Sequence, residues 1–279
     1  MKKIKNFIYW IIHTIKKKEK IPIFIPRDRE NIFDGQVALI TGGSGGIGKA
    51  IAKELLKCGC KVIITGTNKD KLNLAIAEIG KNHNLEGIIL DIREVSSFEK
   101  KIDEAWNVFY EKKIDILINC AGINDSTSFL DVTEETYDKI MDINAKGTYF
   151  ISQVIARKMI ENAIHGHILN VSSSSSLRPA STPYTISKWA VSGMTKGMAD
   201  VLIRYGIVVN AIAPGPVATN MVGKIDTSEI GHDVSPSGRY AMPEEVSHLA
   251  AYMVSGYGDL IVGDTFYITG GSGTVSLHR

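Results

Sequence analysis

A chain of 279 residues, 44% hydrophobic and 22% charged, has the makeup of a globular protein with a full core and excludes a disordered or fibrous one. Its net charge of +2 is uneven: the first 20 residues hold seven lysines and one acid, so the remainder is net negative, which excludes a general attraction for nucleic acid. Three cysteines, an odd number with Cys58 and Cys60 too close to bridge, fit a reducing, cytoplasmic compartment; no second Cys or His pair stands at ligand spacing, and no metal is assigned.

Along residues 1–18, Ile4, Phe7, Ile8, Ile11, Ile12 and Ile15 share one helical face, and lysines occupy the other. This basic amphipathic helix is too short to span a bilayer, which needs about 20 apolar residues, and no small-x-small cleavage site follows it. Two readings stay open: peripheral contact with an inner membrane surface, or docking on its own domain or a sister subunit. The run Ile21-Pro22-Ile23-Phe24-Ile25-Pro26 reads as an extended connector, because proline disfavours helix before it. The organisation expected is an arm over 1–33 and one catalytic domain over 34–279.

Val37 to Ile40 is an apolar run of the kind that makes a buried parallel strand. A glycine-rich turn follows, and from Ile47 the apolar residues Ile47, Ile51 and Leu55 recur every four positions. Strand, glycine turn and helix together predict a pyrophosphate site: backbone approaches closely where no Cβ intervenes, and the N–H groups of the first helical turn point at the anion. Three glycine spacings overlap here. Gly43-x-Gly45-x-x-Gly48 fits a general dinucleotide fold, Gly42-x-x-Gly45-x-x-Gly48 the sugar-nucleotide epimerases, and Thr41-Gly42-x-x-x-Gly46-x-Gly48 short-chain dehydrogenases.

Apolar strands at 36–40, 61–65, 87–90, 114–119, 166–171, 206–212 and 264–268 alternate with amphipathic helices. This pattern predicts an α/β, doubly wound Rossmann fold with a seven-stranded parallel sheet and helices on both faces. A ligand then binds beyond the carboxyl ends of the strands, where the strand order reverses. After the second strand, Thr67, Asn68 and Lys69 stand where an NAD-specific protein places an acid for the ribose hydroxyls; its absence favours NADP(H) over NAD(H). After the third, Asp91-Ile92 is placed for an adenine amino group or to cap the next helix. After the fourth, Ala121-Gly122 lets a flat ring pass close to the backbone. Asn144 sits where its helix turns into the core, so it marks either a helix distortion or a water relay.

The fifth strand ends in Asn170-Val171-Ser172-Ser173, and Tyr184 and Lys188 follow at i and i+4. In a helix starting near Tyr184 they stand about 6 Å apart on one face. A phenol of pKa about 10 must fall by about 3 units, roughly 4 kcal/mol, to exchange protons near neutrality. An ammonium about 5 Å away supplies roughly 3 kcal/mol at an effective dielectric of about 20. Residues 217–240 read as a substrate lid, with Met221, Ile230 and His232 as candidate contacts.

On Thr41-Gly42-Gly43-Ser44-Gly45-Gly46-Ile47-Gly48, Asp91, Asn119-Cys120-Ala121-Gly122, Asn144, Ser173, Tyr184-x-x-Ser187-Lys188 and Asn210 to Thr219, the chain resembles the short-chain dehydrogenase/reductase family from about residue 34 to 273. The resemblance implies that Tyr184 is the proton donor or acceptor and that Ser173 hydrogen-bonds the substrate carbonyl. It further implies that Lys188 holds the nicotinamide ribose and lowers the tyrosine pKa, and that Asn144 maintains a water relay. It gives the cofactor Thr41, Gly42, Ser44, Gly45, Gly46, Ile47, Gly48, Thr67, Asn68, Asp91, Ile92, Asn119, Ala121, Gly122, Tyr184, Lys188, Pro214, Gly215, Val217 and Thr219. Serine fills every position from 172 to 176, and counting from the strand start at Gly166 selects Ser173. Thr269 replaces the acid usual at the end of the last strand. The function implied is hydride transfer between NADP(H) and a small carbonyl substrate, with 3-oxoacyl-thioester reduction as the default, in a homotetramer or dimer. The alternatives are a non-catalytic nucleotide sensor or scaffold and a membrane-associated dehydrogenase subunit.

Overall fold

The computed structural model describes residues 31–80, 82–125, 127–219, 231–232 and 235–275. The basic helix and the connector expected before residue 31 lie outside the described residues, as do Met221 and Ile230.

Seven parallel strands form the sheet: β1 Val37–Thr41, β2 Lys61–Gly66, β3 Leu85–Ile89, β4 Ile116–Asn119, β5 His167–Val171, β6 Val208–Pro214 and β7 Thr265–Ile268. Their order is β3-β2-β1-β4-β5-β6-β7. Every strand expected from the sequence is present. Strands β1, β4 and β6 are buried along their whole length, which is why they read as continuous apolar runs and not as an alternation.

The helices are α1 Gly46–Lys57, α2 Lys69–Ile79, α3 Phe98–Trp106, α4 Glu134–Met141, α5 Thr148–Glu161, α6 Pro183–Leu202 and α7 Pro243–Met253. Successive strand residues point to opposite faces, so each face has its own core. Ala38, Ile40, Val62 and Ile64 meet Ile51 and Leu55 of α1, Leu72 of α2 and Val246 of α7 on one face. Val37, Leu39 and Ile63 meet Ile102 of α3, Ile151 and Ile155 of α5 and Leu202 of α6 on the other. Phe33, placed with the arm on sequence grounds, is fully buried in the first core, so the body of the fold begins slightly before residue 34.

The chain passes from β1 through β2 to β3 on one side, then crosses to β4 on the other side of β1. The crevice beyond the carboxyl ends of β1 and β4 is therefore the switch point where such sheets bind ligands. No described helix is long and apolar enough to cross a membrane.

Candidate active site at the switch point

The glycine turn begins with Gly42 at φ +65°, a left-handed conformation that also brings it against the β4 loop: a Cβ there would lie 2.7 Å from the Ala121 Cα. Gly45 caps α1 without any side-chain hydrogen bond, so the N–H groups of Gly46, Ile47 and Gly48 face outward with no intrahelical acceptor. A Cβ on Gly46 would stand 2.6 Å from the Thr219 methyl carbon, and this closes one wall of the cradle. The uncapped donors and the bare backbone fit the pyrophosphate of a dinucleotide.

Several expected contacts are spent within the protein. Thr41 is 1% exposed and its Oγ1 accepts from the N–H groups of Cys120 and Ala121 at 3.1 and 3.2 Å. Asn119 is 3% exposed and its Nδ2 donates to Ser152 Oγ and Asn170 Oδ1, both at 2.8 Å. Both side chains point inward and hold the loop after β4, which leaves their backbone atoms to face the crevice. Asn68 caps α2 by accepting from Lys71 N–H at 2.9 Å. Asp91 is gripped by Arg93, whose hydrogen bonds hold its carboxyl below the usual range, and it accepts from the Arg93 N–H at 3.0 Å. Thr67 is exposed beside this edge, and the Ile92 side chain is buried.

Beyond β4, Ala121 and Gly122 lie close to α6, and a Cβ on Gly122 would lie 3.6 Å from Lys188 Nζ. Pro214 ends β6, and Gly215 lies against the Thr269 carbonyl. Val217 is buried and bridges Ala241, which pins both ends of the lid. In the lid, His232 Nδ1 lies 2.8 Å from Ser235 Oγ, and its ring sits 4.3 Å from that of Tyr240.

The catalytic candidates converge at the start of α6. Thr182 caps this helix, accepting from Thr185 N–H at 3.2 Å, and Pro183 occupies its first position, so Tyr184 and Lys188 lie one turn apart as their spacing predicts. Ser173 stands beside Tyr184, and its hydroxyl acts to lower the tyrosine pKa. Lys188 is 6% exposed; its Nζ donates to the Val171 carbonyl at 2.9 Å and stands 5.7 Å from the Tyr184 ring centroid.

Electrostatics correct one expectation. Burial raises the Tyr184 pKa, and the Ser173 hydroxyl opposes it. Burial also lowers the Lys188 pKa to about 8. The sequence argument treated the pair as a charge beside a solvated phenol and omitted the desolvation of both groups.

At Asn144 the helix is distorted, as one of its two readings expects: residues Asp142–Gly147 form a π-helical turn between α4 and α5. Its Oδ1 accepts from Ile123 N–H at 2.9 Å, and its Nδ2 donates to the Ile123 carbonyl at 2.9 Å and to Ser187 Oγ at 3.0 Å. Ser187 in turn donates to the Tyr184 carbonyl at 2.7 Å. Asn144 thus tethers the β4 loop to the catalytic helix.

Sequence reasoning missed the polar chain below this tether. Thr148 Oγ1 donates to the Asn144 carbonyl, Ser152 Oγ to the Thr148 carbonyl, and Asn170 Nδ2 to Thr195 Oγ1 on α6. The available signal was a set of polar residues on strand ends and helix faces otherwise apolar. Among the described residues, no cluster of His, Cys, Asp or Glu could hold a metal ion.

A family model described as short chain dehydrogenase matches residues 36–230. The chain is 35% identical over 241 residues to a 3-oxoacyl-(acyl-carrier-protein) reductase of Rickettsia conorii, covering 85% of this chain and 96% of the relative. It is 35% identical over 246 residues to an NAD-dependent glycerol dehydrogenase of Listeria innocua, covering 86% and 94%. The crystal structure of a gluconate 5-dehydrogenase from Burkholderia cenocepacia with NADP and tartrate superposes with a TM-score of 0.79 at 31% identity, covering 89% of this chain and 99% of that one.

Proposed function

The chain belongs to the short-chain dehydrogenase family and is an oxidoreductase acting on CH–OH or C=O groups; from that premise we propose that it is an NADP(H)-dependent carbonyl reductase whose acid is Tyr184. The Ser173 hydroxyl beside the Tyr184 phenol, with the Lys188 ammonium one helical turn away, carries this reading.

The nicotinamide cofactor, when bound, supplies the hydride. Ser173 donates a hydrogen bond to the substrate carbonyl oxygen, and Tyr184 delivers the proton to that oxygen as negative charge develops on it. Burial keeps the phenol protonated at neutral pH, which suits reduction; oxidation would need the phenolate. Lys188 and the N–H groups of α1 would hold the cofactor's ribose and phosphates, and Asn144 keeps the β4 loop in register with α6, where it would support a proton path.

NADP(H) is favoured because Thr67, Asn68 and Lys69 place no carboxylate directly after β2, where one would repel a 2′-phosphate. The relative that reduces 3-oxoacyl thioesters makes such thioesters the first substrate class to try, with sugar acids and small polyols next. An odd number of cysteines, with Cys58 and Cys60 too close in sequence to bridge, supports a reducing cytoplasmic setting. A homotetramer or dimer is supported by exposed apolar residues on the helices and the edge strand, Tyr149, Trp189, Val201, Phe266 and Tyr267. A panel of 3-oxoacyl thioesters, sugar acids and ketones, followed by nicotinamide absorbance with NADPH and NADH, tests the proposal. Turnover at least tenfold faster with NADPH on one carbonyl class supports it; turnover confined to NADH refutes the cofactor assignment.

A further inference from the structure

Ser173 heads a short turn that leads to an arginine. Its Oγ accepts from the Ser175 N–H at 3.1 Å and its carbonyl from Ser176 Oγ at 2.8 Å, which winds Ser174–Leu177 into a 3₁₀ turn with Arg178 at its end. Pro179 follows, and a residue before proline is held extended; Arg178 has φ −106° and ψ 158°. The indole N–H of Trp189, the residue after Lys188 on α6, donates to the Arg178 carbonyl at 2.8 Å. The Arg178 backbone is therefore fixed both to the serine turn and to the catalytic helix.

Its side chain is fixed as well. Nη2 donates to Ser272 Oγ at 2.7 Å. A Cβ on Gly273, at φ +83°, would lie 3.7 Å from Arg178 Nε and 3.3 Å from the Ser174 carbonyl oxygen, so the turn after β7 packs directly on the serine turn. That same turn meets the lid: the Ser237 N–H donates to the Gly270 carbonyl at 2.9 Å, and a Cβ on Gly271 would lie 2.9 Å from the Pro236 Cβ. Arg178 thus stands on the wall that joins Ser173 to the lid, on the β7 side of the crevice and away from the glycine turn of β1.

The guanidinium has no opposite charge beside it. Arg93 and Arg239 each grip a carboxylate, but no described carboxylate forms an ion pair with Arg178, and its neighbours Ser272, Gly273 and Trp189 are neutral. The residue is exposed, and only one of its N–H groups goes to Ser272, so the rest of the planar fork is open to a carboxylate or a phosphate. A side chain already ordered by the protein loses less freedom when it binds an anion. A 3₁₀ turn rises about 2 Å per residue, which puts Arg178 up to roughly 10 Å along the chain from Ser173. An anion bound there lies several bonds from a carbonyl held at Ser173, and a neutral compound gains nothing from the fork.

On the premise that the crevice reduces carbonyls, we propose that Arg178 is a substrate-binding residue that selects carbonyl compounds carrying a carboxylate or phosphate several bonds from the C=O. The probes are straight-chain oxo acids of graded length, each with its methyl ester, and oxoalkyl phosphates, each with its parent alcohol, reduced by the full-length chain with NADPH or NADH. The wild type uses at least one anionic compound about tenfold better in kcat/KM than its neutral counterpart, and the series that responds identifies the anion. In Arg178→Ala this preference falls to within about twofold, through a rise of about tenfold in KM for the anionic compound with kcat little changed; the neutral counterpart loses far less. A residue that only propped the serine turn would instead lower kcat for both members of a pair. Arg178→Glu reverses the preference, and added salt erodes it in the wild type but not in Arg178→Ala. Equal use of anionic and neutral compounds by the wild type, or a loss in Arg178→Ala shared equally by both, overturns the inference and leaves the reductase reading standing. Reduction of no compound in either series overturns both.

Discussion

At the scale of the residue, the site turns on how burial treats two ionisable groups. Tyr184 loses water on folding, which raises its pKa above that of an ordinary phenol, and the Ser173 hydroxyl only partly offsets this. In the cofactor-free protein the phenolate absorbance assigned to Tyr184, taken as wild type minus Tyr184→Phe, should rise later with pH than that of the exposed tyrosines, and later still in Ser173→Ala. A Tyr184 that ionises before them contradicts the account. Lys188 is displaced the other way, from 10.5 to about 8. Below pH 8 it is charged in both states and the burial cost is complete. Between about 8 and 10.5 the native state sheds its proton first, so stability rises with pH by up to about 3 kcal/mol relative to Lys188→Met. Urea titrations at pH 7.5 and 10.5 check this, and a gap between the two proteins that does not change with pH contradicts it. Tyr184, Lys188 and Ser173 were legible because spacing alone places them. The roles of Thr41 and Asn119 were not, because a strand's sequence does not say whether its last side chain turns to the crevice or to the core.

At the scale of the element, the strands were legible from their apolar runs and α6 from Thr182, Pro183 and its periodicity. Asn144 was recognised as anomalous, but its three side-chain hydrogen bonds go to Ile123 and Ser187, which are distant in sequence. The glycine turn allows a finer test. A Cβ on Gly45 meets only the Gly42 carbonyl, at 3.3 Å, whereas one on Gly46 would strike Thr219 at 2.6 Å. Gly46→Ala should therefore lower the melting temperature by several degrees and weaken nucleotide binding at least tenfold, and adding Thr219→Gly should recover most of the melting loss. Gly45→Ala should be far milder in stability. Equal effects at both positions, or no recovery, would show that the lid's anchor does not press on the turn. A related acid sensitivity lies at the lid's far end. Arg239 makes two hydrogen bonds of 2.7 Å to Glu245 and lowers its pKa to about 2. Because the folded value is depressed, this contribution is present above the ordinary carboxylate range and is lost as pH falls toward 2; the pair is largely exposed and its share of stability is small.

At the scale of the whole molecule, strand order places the glycine turn of β1, the Ala121-Gly122 exit of β4, the serines after β5 and the lid after β6 around one crevice, although nearly 180 residues of chain separate them. That convergence was readable from the alternation of strands and helices. The reductase reading requires that the crevice do chemistry through one hydroxyl, and the most direct measurement compares wild type with Tyr184→Phe for carbonyl reduction and, separately, for nucleotide affinity. The account predicts a fall in kcat of about 10²–10⁴-fold, in the range of a lost general acid, with nucleotide affinity unchanged within about threefold. A variant that reduces its carbonyl substrate within tenfold of wild type contradicts it.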